Sequence, residues 1–190
     1  MPKDISITFP VDRNLYFHEQ VSQWSVGSLT KDILTMESDD QHLRKQGDVL
    51  GFTYTPKPIN IFIDSFGGSV YAMNGLMAVI EKCTTPIHTY VTGVAMSAGF
   101  MLLISGHRRF AYHYATPLYH QLSSNDMGTL KDLQEGIAEK ERLQAQLEAI
   151  VLKRTKMPKK VLQQIFEMKK DLYMTPADAL KWGVIDEILT

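Results

Sequence analysis

Two apolar runs, each followed by small residues, are the clearest feature of the hydrophobic pattern along the chain. Residues 59–64 are nearly continuous in apolar character, which is typical of a buried parallel strand. Residues 65–69 then predict a turn, and apolar positions three and four apart predict a helix over 70–82. Residues 87–92 predict a second strand. The small residues around Ser97 predict a tight turn from that strand into a buried helix.

The hydrophobic pattern predicts further helices and strands before residue 59 and after the helix that follows Ser97. A 3.6-residue period predicts a helix over 20–43 with Gly47 as its stop. The longest predicted helix, 126–156, carries an apolar stripe on a charged rod, and such a stripe needs a partner surface. Alternating strands and helices predict one α/β domain, residues 1–190, with a mostly parallel sheet. Further predicted elements are an arm at 4–12, strands at 14–18, 109–112 and 117–121, a loop at 47–58, helices over 158–170 and from Thr175, and a strand or turn at 184–189.

Composition and charge exclude several classes of function. The 20 Lys and Arg residues balance 21 Asp and Glu, and this net charge of −1 argues against nucleic acid or an anionic membrane as the main partner. Cys83 is the single cysteine, so no internal disulfide can form and a cytoplasmic location is expected. The sequence contains no apolar window long enough to span a membrane and no signal peptide pattern. It also lacks a zinc motif, so we expect no metal and no cofactor.

The serine in the second turn is the first candidate for chemistry. The pattern Ala95-x-Ser97-x-Gly99 follows the logic of a nucleophile elbow, because small neighbours permit a sharp turn and the helix N-terminus favours developing negative charge. The same pattern also fits a plain packing site between helix and sheet. Gly67 and Gly68 follow a strand end, where exposed N–H groups could bind an oxyanion or simply form a turn.

Two further side chains could complete a catalytic set. His120 ends a predicted strand, and an imidazole near a serine hydroxyl can act as a general base. Asp171 follows a predicted helix, and a carboxylate there could orient the histidine, although a single aspartate is usually a solvated surface group. The other histidines have no partner pattern and are interpreted as surface or structural residues: His18, His42, His88, His107 and His113.

Together these segments resemble the Clp protease proteolytic subunit family (ClpP). The resemblance runs in the same order through nearly the whole chain. It comprises I-D-S-F-G-G-S-V at 63–70, similar to I-N-S-P-G-G-x-x; G-V-A-M-S-A-G at 93–99, similar to G-x-A-A-S-M-G; R-F at 109–110; L-Y-H-Q at 118–121, similar to M-I-H-Q-P; and D-L-Y-M-T-P-A-D-A-L-K-W-G-V-I-D at 171–186, similar to D-x-F-L-S-A-x-E-A-x-x-Y-G-L-V-D.

The resemblance implies a crotonase-like α/β fold and a serine peptidase that cleaves peptides or unfolded proteins without itself using ATP. It implies that Ser97 is the nucleophile, His120 the general base and Asp171 the third member of a triad. It also implies that the backbone N–H groups of Gly68 and Ala98 form the oxyanion hole. The order Ser, His, Asp along the chain differs from that of chymotrypsin and subtilisin, which fits a convergent site.

The resemblance further implies an assembly. Gly67, Leu122 and Ser123 would hold the substrate strand. The helix at about 126–156 would be a protruding handle that interleaves with an opposite ring in a heptamer or double heptamer. In this family the triad is generally held out of line in isolated subunits, so we expect alignment of the three side chains only in the assembled ring.

Some positions depart from the family pattern. Asn60 and Lys82 stand where the family has Tyr and Phe in its docking groove, which argues against an AAA+ unfoldase partner. Lys169-Lys170 replaces a Glu-Arg pair that links rings, and residues 122–125 replace a P-L-G-G segment. The alternatives are therefore a ClpP paralogue, a phage head-maturation protease, an inactive regulatory ring subunit and, more remotely, a crotonase-type acyl-CoA enzyme.

Overall fold

The computed structural model describes residues 12–190, so nearly all of the arm predicted at 4–12 lies outside the described residues. Among the described residues, no helix is both long enough and apolar enough to cross a membrane. The elements in chain order are β1 (Asn14–Phe17), α1 (Gln23–Leu50), β2 (Ile59–Ser65), α2 (Val70–Lys82), β3 (Ile87–Met96), α3 (Ala98–Ser105), β4 (Arg108–Tyr112), β5 (Thr116–Tyr119), α4 (Leu130–Arg154), α5 (Lys159–Met168), β6 (Leu172–Tyr173), α6 (Pro176–Lys181) and β7 (Glu187–Leu189).

The sheet is mainly parallel and confirms the predicted α/β class. Its main path runs β1-β2-β3-β4-β7, and every pair along it is parallel. Strand β3 is long enough to have two partners, since residues 88–91 pair with β4 and residues 94–96 pair with β5. The short strand β6, which the hydrophobic pattern did not predict, lies antiparallel to β5. The carboxyl end of β3 is therefore placed beside β5, which precedes His120.

The core lies between one face of the sheet and the helices α2 and α3. Ile59, Ile61 and Ile63 of β2 are fully buried, and every residue of α3 is buried. The other face of β2 is half-exposed, so its apolar run is not buried on both sides as the pattern suggested. That outer face carries in-register aromatic rings with centroids 4.6–5.4 Å apart: Tyr16, Phe62, Tyr90 and Phe110.

Helix α1 corrects the prediction that Gly47 ends the first long helix. The helix continues through Gly47 to Leu50 and ends at Gly51, which has a left-handed backbone conformation. Gly47 is buried because Phe52 folds back over it, and the Phe52 N–H donates to the Gly47 carbonyl at 2.9 Å. A side chain at Gly47 would collide with the Phe52 carbonyl, so this glycine permits close approach rather than a stop.

Two buried carboxylates attach α1 to the loop before β3. Glu37 accepts hydrogen bonds from Thr84 and from the Thr85 N–H, and Asp40 accepts from Thr85 and forms an ion pair with Arg13. Burial by itself raises the pKa of Glu37, but the hydrogen bonds it accepts outweigh burial and lower that pKa to about 2. The carboxylates are therefore charged in the folded chain at neutral pH.

Helix α4 divides into an exposed half and a packed half. It begins at a capping box made by Thr129 and Asp132, so it is shorter than the predicted 126–156. Leu130 is 75% exposed and Ile137 is 54% exposed, whereas the later part of the helix packs on the core through Leu143, Leu147 and Val151. The apolar stripe that needs a partner is thus confined to the N-terminal half.

Candidate active site

Ser97 occupies the one-residue turn between β3 and α3. Its backbone has φ 55° and ψ −121°, and in the described part of the chain only Lys169 is another non-glycine residue with positive φ. Such a conformation costs on the order of 1–3 kcal/mol and persists only where the surroundings fix it. Here the Ser97 N–H donates to the Leu118 carbonyl at 3.1 Å, and the Ser97 carbonyl accepts from Phe100 and Met101 of α3. The predicted tight turn is present and carries the serine.

The turn after β2 is pressed against the Ser97 turn. Gly67 has φ 99°, and a Cβ at this position would lie 2.6 Å from the Met96 carbonyl oxygen and 2.7 Å from Ser97 Cβ. Only glycine allows both the backbone conformation and this approach. The Gly67 carbonyl is fixed by the Val21 N–H at 2.8 Å, which ties the turn to the segment before α1.

Two backbone N–H groups near Ser97 are available to an acceptor. The N–H groups of Gly67 and Ser69 are both used, by Ser65 Oγ at 3.2 Å and by the Val21 carbonyl at 2.8 Å. Between them, the Gly68 N–H has no protein acceptor among residues 12–190. The Ala98 N–H is the first of α3 and so has no intrahelical acceptor. Two such donors on adjoining turns have the chemistry needed to bind an oxyanion.

A cavity of about 1050 Å³ contains both Ser97 and His120. Gly67, Gly68, Leu122 and Ser123 also line it, so the candidates for holding substrate share the cavity with the serine. The Leu122 N–H is already engaged, since it donates to the Gln144 side chain at 2.8 Å.

The far wall of this cavity is supplied by α4 and the loop before it. Lys140 forms an ion pair with Asp126, and Tyr71 of α2 donates to Glu139 at 2.8 Å. Hydrogen bonds from Arg142 and then Tyr71 lower the pKa of Glu139 to about 2. These contacts hold α4 across the cavity from Ser97.

His120 and Asp171 lie next to the ends of two neighbouring strands, but no hydrogen bond joins them. His120 follows β5 and Asp171 precedes β6, and the antiparallel register pairs Tyr119 with Leu172. The pairing ends there, so His120 and Asp171 each lie one residue beyond the last paired position. Asp171 is nevertheless exposed, and among residues 12–190 no hydrogen bond links Ser97, His120 and Asp171. The single chain thus brings Ser97 and His120 to one cavity and leaves Asp171 outside it.

Sequence reasoning missed Tyr119 and Gln144. Tyr119 is buried between the Ser97 turn and α4, and Gln144 is a buried polar residue that fixes the loop after His120. Gln144 lies next to the apolar stripe of α4 in the sequence. Because a buried amide needs hydrogen-bonding partners, its position there could have indicated a structural role. The described residues contain no group of three or more His, Cys, Asp or Glu side chains placed to hold a metal ion.

Comparison with known proteins relates nearly the whole chain to one family of proteases. The Clp protease family model matches residues 12–190. The chain is 26% identical over 188 residues to the ATP-dependent Clp protease proteolytic subunit of Porphyromonas gingivalis, covering 98% of the chain and 78% of the relative. It is 27% identical over 180 residues to that of Deinococcus radiodurans, covering 94% and 80%. It is also 27% identical over 182 residues to the proteolytic subunit 2 of Streptomyces coelicolor, covering 94% and 76%.

Proposed function

The chain belongs to the Clp protease family, and from this premise we propose that it is a serine endopeptidase that cleaves peptides or unfolded proteins inside a ring of identical subunits. One observation carries the proposal: Ser97 is held at positive φ on a turn that shares a cavity with His120. A weak nucleophile such as a serine hydroxyl is activated when a general base in the same cavity can take its proton.

The proposed chemistry is acyl transfer. The Ser97 Oγ attacks the scissile carbonyl while His120 takes the hydroxyl proton, and the same proton then passes to the leaving amine. Water repeats the sequence to release the acyl group from Ser97. Asp171 accepts a hydrogen bond from His120, fixing its tautomer and stabilising the imidazolium.

The negative charge that forms on the carbonyl oxygen is proposed to be bound by the N–H groups of Gly68 and Ala98. Their lack of other acceptors supports this role. A donor in such a hole is typically worth about 3–4 kcal/mol of barrier lowering. A substrate strand lying between Gly67 on one side and Leu122 with Ser123 on the other would bring its carbonyl to Ser97.

Assembly is part of the proposal. The exposed apolar side chains in the N-terminal half of α4, Leu130 and Ile137, need a partner, and a second ring of the same chain would cover them. Contacts at that interface would draw Asp171 towards His120 and complete the triad. We do not assign an AAA+ unfoldase to the outer sheet face, because Asn60 and Lys82 stand where the resembling family has aromatic residues.

The test is labelling with an alkyl fluorophosphonate, applied to wild type beside Ser97→Ala, with the size of each sample measured. Labelling of a ring-sized species that disappears in Ser97→Ala would support the proposal. A well-formed ring that never labels would contradict it and favour an inactive regulatory subunit. Turnover of a coenzyme A thioester without peptidase activity would instead favour a crotonase-type enzyme. A phage head-maturation protease would label as well but cleave a capsid substrate.

A further inference from the structure

We propose that Asp64 is a positioning residue for the reaction at Ser97. Its carboxylate holds a β-bulge in β3 and thereby sets the place of the serine relative to the Gly68 N–H. Asp64 acts through the backbone of β3 and not on the reacting atoms. The inference rests on the proposed peptidase function and adds to it a residue that keeps the nucleophile in register with the oxyanion donors.

Strand β3 contains an irregularity shortly before the residues that lead to Ser97. Its register with β2 pairs Ile63 with Val91 and then Ser65 with Ala95, so an advance of two residues on β2 corresponds to four on β3. The extra residues of such a bulge are left unpaired, and the strand bends there. Before the bulge β3 pairs with β4, and after it β3 pairs with β5. The bulge therefore directs the end of β3 into the turn that holds Ser97.

The Asp64 carboxylate supplies a hydrogen-bond acceptor within this bulge. Asp64 lies on β2 opposite the bulge, and its Oδ1 accepts from the Val94 N–H at 2.9 Å. On the other side of the bulge, the Thr92 hydroxyl donates to the Ile63 carbonyl at 3.1 Å. Asp64 is exposed, so a water molecule could replace it as an acceptor, but a water molecule is not attached to β2. Only the side chain ties the bulge to the neighbouring strand.

Gly93 allows the carboxylate to lie directly on the bulge. A Cβ at Gly93 would lie 2.5 Å from Asp64 Oδ1 and 3.2 Å from Asp64 Oδ2. The three heavy atoms nearest to that point all belong to Asp64, so the carboxylate fills the space that a side chain would occupy. Because the Asp64 side chain can rotate, a larger residue at this position would displace the carboxylate and break its hydrogen bond to Val94.

The residue after Asp64 ties the oxyanion turn to the same end of β2. Ser65 Oγ accepts from the Gly67 N–H at 3.2 Å, and the next N–H along that turn belongs to Gly68. Asp64 holds β3 at a point three residues before Ser97. Two adjacent residues of β2 thus fix the nucleophile and an oxyanion donor relative to each other. A misplacement of about 1 Å in such a site can cost about 10²-fold in rate.

The experiment measures peptidase kcat and KM and the rate of labelling with an alkyl fluorophosphonate, all on ring-sized fractions of the full-length protein. Asp64→Ala removes the acceptor, so kcat and the labelling rate should fall together by about 10–100-fold, while KM stays within about two-fold of wild type. Asp64→Asn keeps an acceptor oxygen, so both rates should stay within about three-fold of wild type. The resembling family segment I-N-S-P-G-G has asparagine at this position.

Gly93→Ala gives an independent test, because its Cβ displaces the carboxylate without removing it. Both rates should fall about as far as in Asp64→Ala. The double variant with both changes should be no slower than either single variant, since each change removes the same hydrogen bond. Asp178→Ala is the matched control, because it removes a carboxylate that accepts a backbone N–H at the start of α6, and it should leave both rates unchanged.

The outcomes separate this inference from the proposed function. A wild-type labelling rate in Asp64→Ala, an equal loss in Asp64→Asn, or losses that multiply in the double variant would overturn the role of Asp64 and leave the peptidase intact. A well-formed wild-type ring that never labels would overturn both. If Asp64→Ala does not assemble, Gly93→Ala decides alone, and a wild-type labelling rate in that variant would overturn the inference.

Discussion

The turn that carries Ser97 and the segment that carries Asp171 differ in burial and in hydrogen bonding within the single chain. Ser97 sits between a buried strand and a buried helix, and its backbone N–H and carbonyl are both hydrogen-bonded. Asp171 is exposed, and its carboxylate makes no hydrogen bond among the described residues. Under the proposed triad, the core of the subunit would fix the position of Ser97, while the orientation of His120 would depend on contacts made in the ring.

The sharpest way to test this comparison is Asp171→Asn. The amide would favour the wrong His120 tautomer, so kcat in the assembled ring should fall by about 10⁴-fold. Because Asp171 is exposed and unpaired in the single chain, the melting temperature of the monomeric fraction should be unchanged.

Asp178→Asn is the matched control for Asp171→Asn. Asp178 accepts hydrogen bonds from the Thr175 N–H and hydroxyl at the start of α6, so its loss should cost about 1 kcal/mol of stability and leave activity intact. Full activity in Asp171→Asn would contradict the proposed triad.

Gly67→Ala tests the Ser97 turn, which contacts within the single chain already fix. The new Cβ would collide with the Met96 carbonyl and with Ser97 Cβ, at a backbone conformation that alanine avoids. We expect a stability loss of about 1–3 kcal/mol and a fluorophosphonate labelling rate lower by roughly 10²–10³-fold, because the oxyanion donors move.

Gly75→Ala is the control for Gly67→Ala. Gly75 lies on α2, and an alanine Cβ there would meet no atom within 4 Å outside the adjoining residues and the helix's own backbone, so alanine should leave labelling unchanged and stabilise the protein by about 0.5–1 kcal/mol. Equal stability and equal labelling rates in Gly67→Ala and Gly75→Ala would mean that Gly67 does not fix the Ser97 turn.

Ile137→Glu tests whether assembly completes the site. A carboxylate in place of this exposed apolar side chain of α4 should weaken the contact between subunits, giving a smaller species and at least about a ten-fold lower labelling rate. Lys131→Glu changes charge on the same helix a quarter turn from Leu130 and should retain both the ring and the activity. A small species of Ile137→Glu that labels at the wild-type rate would show that assembly is not required.

Acid gives the smallest expected effect, because it acts on Glu37, a carboxylate whose hydrogen-bond partners all lie in the same chain. The pKa of Glu37 lies at about 2 in the folded chain against 4.5 ordinarily, so its stabilisation is present above about pH 5 and is lost as the pH falls towards 2. We expect the free energy of unfolding to drop by about 3 kcal/mol over that range, and by less in Glu37→Gln. Urea unfolding at several pH values measures this free energy. An equal dependence of the unfolding free energy on pH in both proteins would contradict the assignment of the effect to Glu37.

The same contrast explains how much of the molecule could be predicted from sequence. The bounds of α2 were predicted correctly, because its apolar spacing and flanking turn are local features. The end of α1 was not, since Gly47 is required by contact with Phe52 rather than by a turn. Strand β6 is two residues long and depends on pairing with β5, which no local pattern reveals.

The candidate site divides in a similar way. Ser97 and Gly67 were recognisable because tight turns require particular residue types. Tyr119 could not be identified, since its burial depends on packing against Phe100 of α3, which a local sequence pattern does not reveal. Likewise, the exposure of Asp171 depends on long-range packing and on subunit contacts that one sequence does not specify.

The most direct test of the account is the rate of fluorophosphonate labelling of wild-type protein, measured separately on ring-sized and monomeric fractions from one column run. We predict that the ring labels at Ser97 and that the monomer labels at least about 100-fold more slowly, because Asp171 does not orient His120 in the isolated chain. Equal labelling of the two fractions, or no labelling of the ring, would contradict the claim that assembly completes a triad around a nucleophile that each chain builds by itself.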